Sequence, residues 1–319
     1  MERKEDRIGN NVRIGMLGWQ DGILDTVLDT DAATEVDDPF AISYLLLSPE
    51  RFSVKAIYAA PFAMNERAQD PGTGMEMSYQ EILRVMRLCR KEGHCAVLKG
   101  SGRWMGEDKA AVDSPAADDL AERAMGYSRK HPLYVVAIGA GTNIASALLK
   151  QPEMKDRIVV VWLAGNEFHD SPDVYNIYQD VRAAQVIFDS GVPLIHVPCN
   201  HVTSHMITSV PELESCIGNK NALCDYLIRI VKEYGKDHFA WGKTIWDLGA
   251  VGCLVNREWS RMEYTDAPII TDQLTWSRDY GRHLIGNIRS LDRDAIFRDA
   301  FTKMGAVAAA SDESTLNFV

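Results

Sequence analysis

The sequence predicts an α/β fold built on an open, mostly parallel sheet flanked by helices, and two observations carry that prediction. Short apolar runs without polar alternation recur along the chain, such as LYVVAI at Leu133–Ile138 and IVVVWL at Ile158–Leu163. Segments of helical periodicity separate them. Strands that are apolar on both sides need helices on both faces, which is the parallel α/β arrangement. In such sheets a ligand binds beyond the carboxyl ends of the strands, so polar residues just after each strand are the ones to watch.

The elements follow in order. TVLDT at Thr26–Thr30 reads as a first strand that ends in acids, and Pro39–Leu47 as a helix with proline in its first turn. Ser53–Tyr58 reads as the second strand. Tyr79–Arg90 carries Ile82, Leu83, Val85, Met86 and Leu88 at amphipathic spacing and reads as a helix. A short strand at Ala96–Leu98 and a helix at Ala116–Tyr127 precede the strand at Leu133–Ile138. A helix opening at Asn143, the strand at Ile158–Leu163, a helix at Val181–Asp189 and a strand at Leu194–Val197 complete the alternation. The last third reads as more helical, with Ala222–Tyr234 the clearest case. No repeat, low-complexity stretch or linker interrupts the chain, so one domain over 1–319 with a core at about 24–303 is expected. The small, polar stretch 306–319 is expected to fray or to pack on a neighbour.

Bulk properties narrow the function. The 319 residues are 46% hydrophobic and 25% charged, ordinary values for a globular enzyme. A net charge of −11 with no basic patch argues against nucleic acid or an anionic membrane as partner. The six cysteines form no CxxC pair and no zinc-finger array, so reduced thiols in a cytoplasmic protein are expected. The N-terminal residues lack the apolar core of a leader, and no apolar run is long enough to span a bilayer.

The most informative segment is LDTDAATEVDDPFA at Leu28–Ala41. Five of its residues are acids: Asp29, Asp31, Glu35, Asp37 and Asp38. Crowded carboxylates raise one another's pKa, and a hard cation with a taste for oxygen relieves that conflict. A solvated loop with helix caps is the competing reading, since aspartate favours helix N-termini in any case. The apolar strand before the acids, and Ala32, Ala33 and Val36 among them, argue against a solvated run. The spacing is not that of an EF-hand, which needs a glycine and a closing glutamate.

These acids open an ordered series of motifs. DTDAATEVDD at Asp29–Asp38 is followed by AIGAGTNIASAL at Ala137–Leu148, IVVVWLAG at Ile158–Gly165, YNIYQDVRAAQVIF at Tyr175–Phe188, GVPLIHV at Gly191–Val197 and WDLGAV at Trp246–Val251. In that order the chain resembles the inosine–uridine-preferring nucleoside hydrolase family over roughly residues 24 to 303. The family opening is D-x-D-P-G-x-D-D; here the PG is absent and the loop is two residues longer.

The resemblance implies an α/β fold with calcium at the carboxyl-terminal rim of the sheet. It implies that Asp31, Asp38, the Thr142 carbonyl and Asp247 ligate calcium. Asp37, with Asp31 as an alternative, would take the proton from an attacking water, and Asn176 would hold the ribose hydroxyls. Asn166 and Glu167 follow the fifth strand and are candidate substrate contacts, as are His169 and Asp173. The expected partner is a small riboside, and the family's habit implies a homodimer or homotetramer. Capping is an alternative for Asn143, which is expected to cap its helix, and for Asp247.

Three departures bear on the leaving base. Trp246 stands where nonspecific members carry an acid histidine, and an indole N–H is no acid. Stacking on the base is the role other branches give it, and core packing is the alternative. Val174 replaces the family glutamate, and Ala59–Phe62 lacks the family asparagine, the nearest being Asn65. Trp241, Tyr264 and Trp276 are further candidates to line a base pocket. The expected activity is therefore calcium-dependent N-ribohydrolysis on a common or modified nucleoside. The alternative is a weak or inactive calcium- and ribosyl-binding protein of the same fold.

Overall fold

A computed structural model describes residues 9–308. Its strands are β1 (Leu24–Thr30), β2 (Phe52–Ala59), β3 (Ala96–Lys99), β4 (Leu133–Ala137), β5 (Ile158–Leu163), β6 (Leu194–Val197), β7 (Ile207–Thr208), β8 (Lys243–Thr244), β9 (Ser260–Asp266), β10 (Ile269–Ile270), β11 (Trp276–Ser277) and β12 (Leu284–Leu291). Eight of them form one sheet in the order β3-β2-β1-β4-β5-β6-β12-β9, parallel except for the antiparallel edge β9. The helices are α1 (Asn10–Leu17), α2 (Asp38–Leu46), α3 (Pro71–Leu88), α4 (Pro115–Ala124), α5 (Thr142–Lys150), α6 (Tyr175–Tyr178), α7 (Val181–Ser190), α8 (Val210–Ile217), α9 (Ala222–Tyr234), α10 (Leu248–Val255) and α11 (Arg293–Gly305).

The six expected strands all form; β1, β2, β4, β5 and β6 are largely buried on both faces, whereas the edge strand β3 is partly exposed. Alternate residues of β1 and β5 point to opposite cores. Leu28, Val159 and Val161 join α2, α3, α9, α10 and α11 on one face, while Val27, Val160 and Trp162 join α4, α5 and α7 on the other. The order runs outward from β1 to β3, then restarts on the other side of β1 at β4. That reversal leaves a crevice between the carboxyl ends of β1 and β4, the place where such sheets bind ligands. Asp29 sits on this seam, in register with Tyr58 on one side and Ala137 on the other.

Several expectations need correction. α3 begins eight residues before the expected Tyr79, where Asp70 accepts from the Thr73 N–H (2.9 Å) and Pro71 occupies the first turn. Its PGTG start looks like a turn in sequence. Gly74 is there because a Cβ would lie 1.9 Å from the Phe62 carbonyl oxygen. The last third is not only helical: β12 pairs in parallel with β6, and β9 pairs with β12. β9 is a half-exposed edge studded with Arg261, Glu263 and Asp266, so it lacks the apolar run that marks a buried strand. α1 precedes β1 and packs Met16 and Leu17 into the core, although glycines at 9, 15 and 18 mask it in sequence. The expectation for 306–319 lies almost wholly outside the described residues. The six cysteines are free thiols, as expected. Among the described residues no helix is long and apolar enough to cross a membrane.

His196 on β6 ties the added strand to the older sheet. It is fully buried, with Nδ1 against Asn287 Oδ1 of β12 (2.7 Å) and Nε2 against the Ala164 carbonyl. Burial pulls its pKa down from 6.5 to about 4, and the two hydrogen bonds only partly oppose this. The fold thus favours the neutral ring. Its contribution is complete above about pH 6.5 and is lost as pH falls toward 4. Near pH 5 the loss should be about 2 kcal/mol relative to pH 7.5. Urea unfolding of wild type and His196→Gln at both pH values checks this. The wild type should lose more stability on acidification than the variant, and equal losses would contradict it.

Candidate active site

The crevice opens into a cavity of about 340 Å³, within the range that holds a small ligand. Its lining includes Asp31, Thr34, Glu35, Asp37, Asp38, Asn166, Asp173, Tyr175, Asn176, Cys199, Trp246 and Asp247. Residues from the ends of β1, β4, β5 and β6 thus meet residues that precede α10.

The acids arrive from two directions. β1 carries Asp29 in its penultimate position and hands over to Asp31, whose carboxylate accepts from Thr34 Oγ1 (2.8 Å). A short turn leads to Asp37 and Asp38 at the start of α2. Asp38 accepts from Thr30 Oγ1, which anchors it to the strand it has just left. Asp247 comes from the distant segment before α10. Carboxylate oxygens of Asp37, Asp38 and Asp247 lie within 4.8 Å of one another, and all three residues are buried.

The capping alternative can be checked directly. Asp37 and Asp247 occupy N-cap positions, yet neither side chain caps its helix. Asp37 Oδ2 instead accepts from the backbone N–H of Trp246 (3.1 Å), which ties the two arms of the site together. Asn143 does not cap either. It lies inside α5, accepts from the Ser101 N–H (2.8 Å) and hydroxyl (2.9 Å), and donates to Asp29 (3.4 Å).

Burial dominates the electrostatics. It raises the pKa of Asp31 to about 7, against the hydrogen bond from Thr34, with Asp37 and Glu35 adding repulsion. It also raises Asp38 and Asp247 well above the ordinary carboxylate range, each further pushed by the other aspartates. Asp29 rises to about 8 from burial, and its Oδ2 has no hydrogen-bond partner. A set of hard carboxylate oxygens, buried and mutually repelling, is the donor chemistry that a hard divalent cation satisfies. The residues present fit such an ion.

Lys243 is the functional residue that sequence reading missed. Its side chain is 5% exposed; the ammonium pairs with Glu35 and lies 3.5 Å from Asp37 Oδ1. Burial alone would lower its pKa, but Asp37 and Glu35 outweigh burial and the net shift is upward. Its place in sequence, GKTIWD, carries no motif. The only available signal was the two-residue longer loop, which delivers Glu35 to it.

The remaining candidates divide. Asn176 at the start of α6 donates both amide hydrogens, to the Ile138 (3.0 Å) and Leu163 (2.9 Å) carbonyls, so only its oxygen can receive a ligand hydroxyl. Asn166 follows Gly165, whose φ of +69° and closeness to Trp276 exclude a side chain. Asn166 accepts from the Asn200 N–H (3.0 Å) and lines the cavity. Glu167 does not line it. It is buried rather than on a surface loop, bonded to Asn287 (3.2 Å) and paired with Arg289. Thr142 is buried outside the lining, its hydroxyl donating to Asp180 (2.7 Å). Of the four aromatic candidates only Trp246 lines the cavity. Trp241 stacks on Tyr234, Trp276 packs on Phe168, Phe188 and His196, and Tyr264 is exposed on β9. His169 is exposed and outside the lining, whereas Asp173 belongs to it.

Comparison with known proteins agrees with this geometry. Residues 26–297 match the family described as inosine-uridine preferring nucleoside hydrolase. A Dictyostelium discoideum protein described as a probable ribonucleoside hydrolase is 31% identical over 177 residues, 48% of this chain and about half (50%) of that relative's length. The pyrimidine-specific ribonucleoside hydrolase RihA of Escherichia coli is 28% identical over 69% of this chain and 74% of its own. A purine-preferring ribonucleoside hydrolase from Gardnerella vaginalis superposes with a TM-score of 0.71 at 21% identity, covering 89% of this chain and 98% of that one. A plant nucleoside hydrolase superposes at 0.68 and 19%, covering 89% and 99%. At these identities the structural likenesses establish the fold.

Removing the ammonium next to Asp37 should be costly, because it strands a buried carboxylate. Lys243→Met is expected to lower the unfolding free energy by roughly 3 kcal/mol, while Lys243→Arg retains most of it. Urea denaturation at neutral pH measures this, and an unchanged midpoint for the methionine variant would mean that the pair holds nothing together.

Proposed function

Because the chain belongs to the inosine-uridine preferring nucleoside hydrolase family, we propose that its acidic crevice is the active centre of a calcium-dependent N-ribohydrolase, which cleaves the bond between ribose and a base. The observation that carries this reading is the convergence of Asp37 and Asp38, at the start of α2, with Asp247, from the distant segment before α10, onto one buried point in the cavity wall. Calcium suits a site made of oxygens alone, with carboxylates in the majority.

Asp31, Asp38, Asp247 and the Thr142 carbonyl would hold the ion, which when bound supplies charge that draws in the ribose hydroxyls and a water and makes that water more acidic. Asp37 accepts the proton of the attacking water as general base. Lys243 and the Trp246 N–H fix the Asp37 carboxylate from two sides. The Asn176 oxygen receives a ribose hydroxyl, since its nitrogen is committed elsewhere. As the C1′–N bond lengthens, positive charge builds on the sugar, and the surrounding carboxylates stabilise it. Asn166 contacts the substrate from the end of β5, and the Trp246 ring faces the base. Glu167 acts only at one remove, through Arg289 and Asn287.

The second reading is a ribosyl-binding protein that does not turn over. The tryptophan at position 246, where an acid would stand, favours it. p-Nitrophenyl riboside separates the two, because its leaving group needs no proton. With calcium present the wild type should cleave it. Excess chelator should abolish turnover and restored calcium should return it. Asp37→Asn should lower kcat by at least about 100-fold, as expected for loss of a general base. A calcium-loaded protein that binds ribose but leaves this substrate intact would establish the binding-only reading.

A further inference from the structure

A single short stretch, from Lys243 on β8 to Asp247 before α10, delivers an ammonium, a backbone N–H and a carboxylate to the acidic point. The ammonium is the unusual member. Lys243 is held in register with Thr208 of β7, and the Tyr234 ring lies 5.1 Å from its Nζ. That Nζ pairs with Glu35 and lies 3.5 Å from Asp37 Oδ1. Among the described residues, Asp37 is the one of the four buried aspartates, Asp31, Asp37, Asp38 and Asp247, that forms an ion pair. Distance does not set it apart, since its carboxylate lies within 4.8 Å of those of Asp38 and Asp247. Its partners do. Asp31 and Asp38 each accept from a threonine hydroxyl, a neutral donor that leaves their charge to attract a cation. Asp37 has Oδ1 beside the ammonium and Oδ2 on the Trp246 N–H. A second cation approaching Oδ1 meets like charge at close range. Each Asp37 oxygen still keeps a lone pair for the proton of a water.

We infer that Lys243 is a positioning residue that keeps Asp37 out of the calcium ligand set and so reserves it as the base. This rests on the ribohydrolase reading and deepens it. Calcium accepts roughly six to eight oxygens, so nothing in its own preference would spare one carboxylate of a crowded set. A carboxylate bound to the ion has given its lone pairs to the metal and is a poor proton acceptor. Lys243 does not line the cavity, so it acts on the reaction through Asp37. Glu35 balances the ammonium. The pair is neutral as a whole, and the crevice keeps the negative charge that draws in the ion. The longer loop that carries Glu35 is itself tied down, with Arg67 donating to the Ala33 carbonyl (2.7 Å).

The test titrates calcium chloride into the chelator-stripped full chain by calorimetry, and measures kcat and KM for p-nitrophenyl riboside at saturating calcium. Lys243→Met should bind calcium at least about 10-fold more tightly, because Asp37 joins the ligands and an opposing charge is gone. Its kcat should fall about 10- to 100-fold, the scale of a displaced base, with KM within about 3-fold of wild type. Lys243→Arg should restore both. Should Lys243→Met not fold, the double variant Lys243→Met/Glu35→Gln strands one charge fewer and should move both quantities in the same directions. A lysine that merely props the fold would weaken calcium binding and kcat together. That result, or an unchanged calcium affinity, overturns the inference, while turnover by the wild type keeps the hydrolase reading. A wild type that cleaves no riboside removes the hydrolase reading and the base role with it, and the calcium titration alone then decides whether Lys243 holds Asp37 off the ion.

Discussion

The structure turns on the repulsion among buried carboxylates at one point of the sheet. Asp31, Asp37, Asp38 and Asp247 are each nearly inaccessible, and each is penalised first by burial and then by its neighbours. No packing interaction rewards that arrangement. It persists because the surrounding fold is large and determines it from several sides, as happens at functional sites. Lys243 offsets part of the charge with a fixed ammonium, and the donor set leaves the remainder for a cation.

The fold supplies what this arrangement needs. The order of the sheet reverses between β1 and β4, which opens a crevice without breaking a strand. β1 is buried on both faces and cannot shift register, because a one-residue slip would exchange Val27 and Leu28 between the two cores. The acids at its end are therefore held as rigidly as the sheet itself. α2 is buried along its whole length, so Asp37 and Asp38 are seated by a core helix rather than by a mobile loop. α6 is a single turn, yet Asn176 is locked by two carbonyls from different strand ends. Rigid elements thus carry the groups that need precise placement.

Burial also distinguishes two parts of the cavity wall. Around the acids the polar groups have defined partners: Thr34 for Asp31, Thr30 for Asp38, Lys243 and the Trp246 N–H for Asp37. The rest of the lining includes Trp246, Tyr175, Cys199 and an exposed Asp173. The first part depends on fixed charge held by the sheet. The second draws on residues outside the strands, the kind of position at which one fold carries different functions.

The sequence by itself determined the parallel core, because strands buried on two faces must be continuously apolar, and Ile158–Leu163 shows it plainly. It also marked Asp31, Asp37 and Asp38, because acids crowded just beyond an apolar strand, with Ala32, Ala33 and Val36 among them, are not a solvated charge run. Proximity between distant segments was decided only in three dimensions. Lys243 lies more than two hundred residues from Asp37, and no local pattern announces a lone lysine that folding will bury against two acids. Glu167 reads as a loop acid beside Asn166, but β12, an unexpected strand, brings Arg289 and Asn287 to it and turns it away from the cavity. Asp37, Asn143 and Asp247 each have the residue type of a cap, and tertiary partners claimed all three side chains or turned them to the site. Local chemistry states what a side chain can do; which of those options is realised depends on what the fold places within a few ångströms.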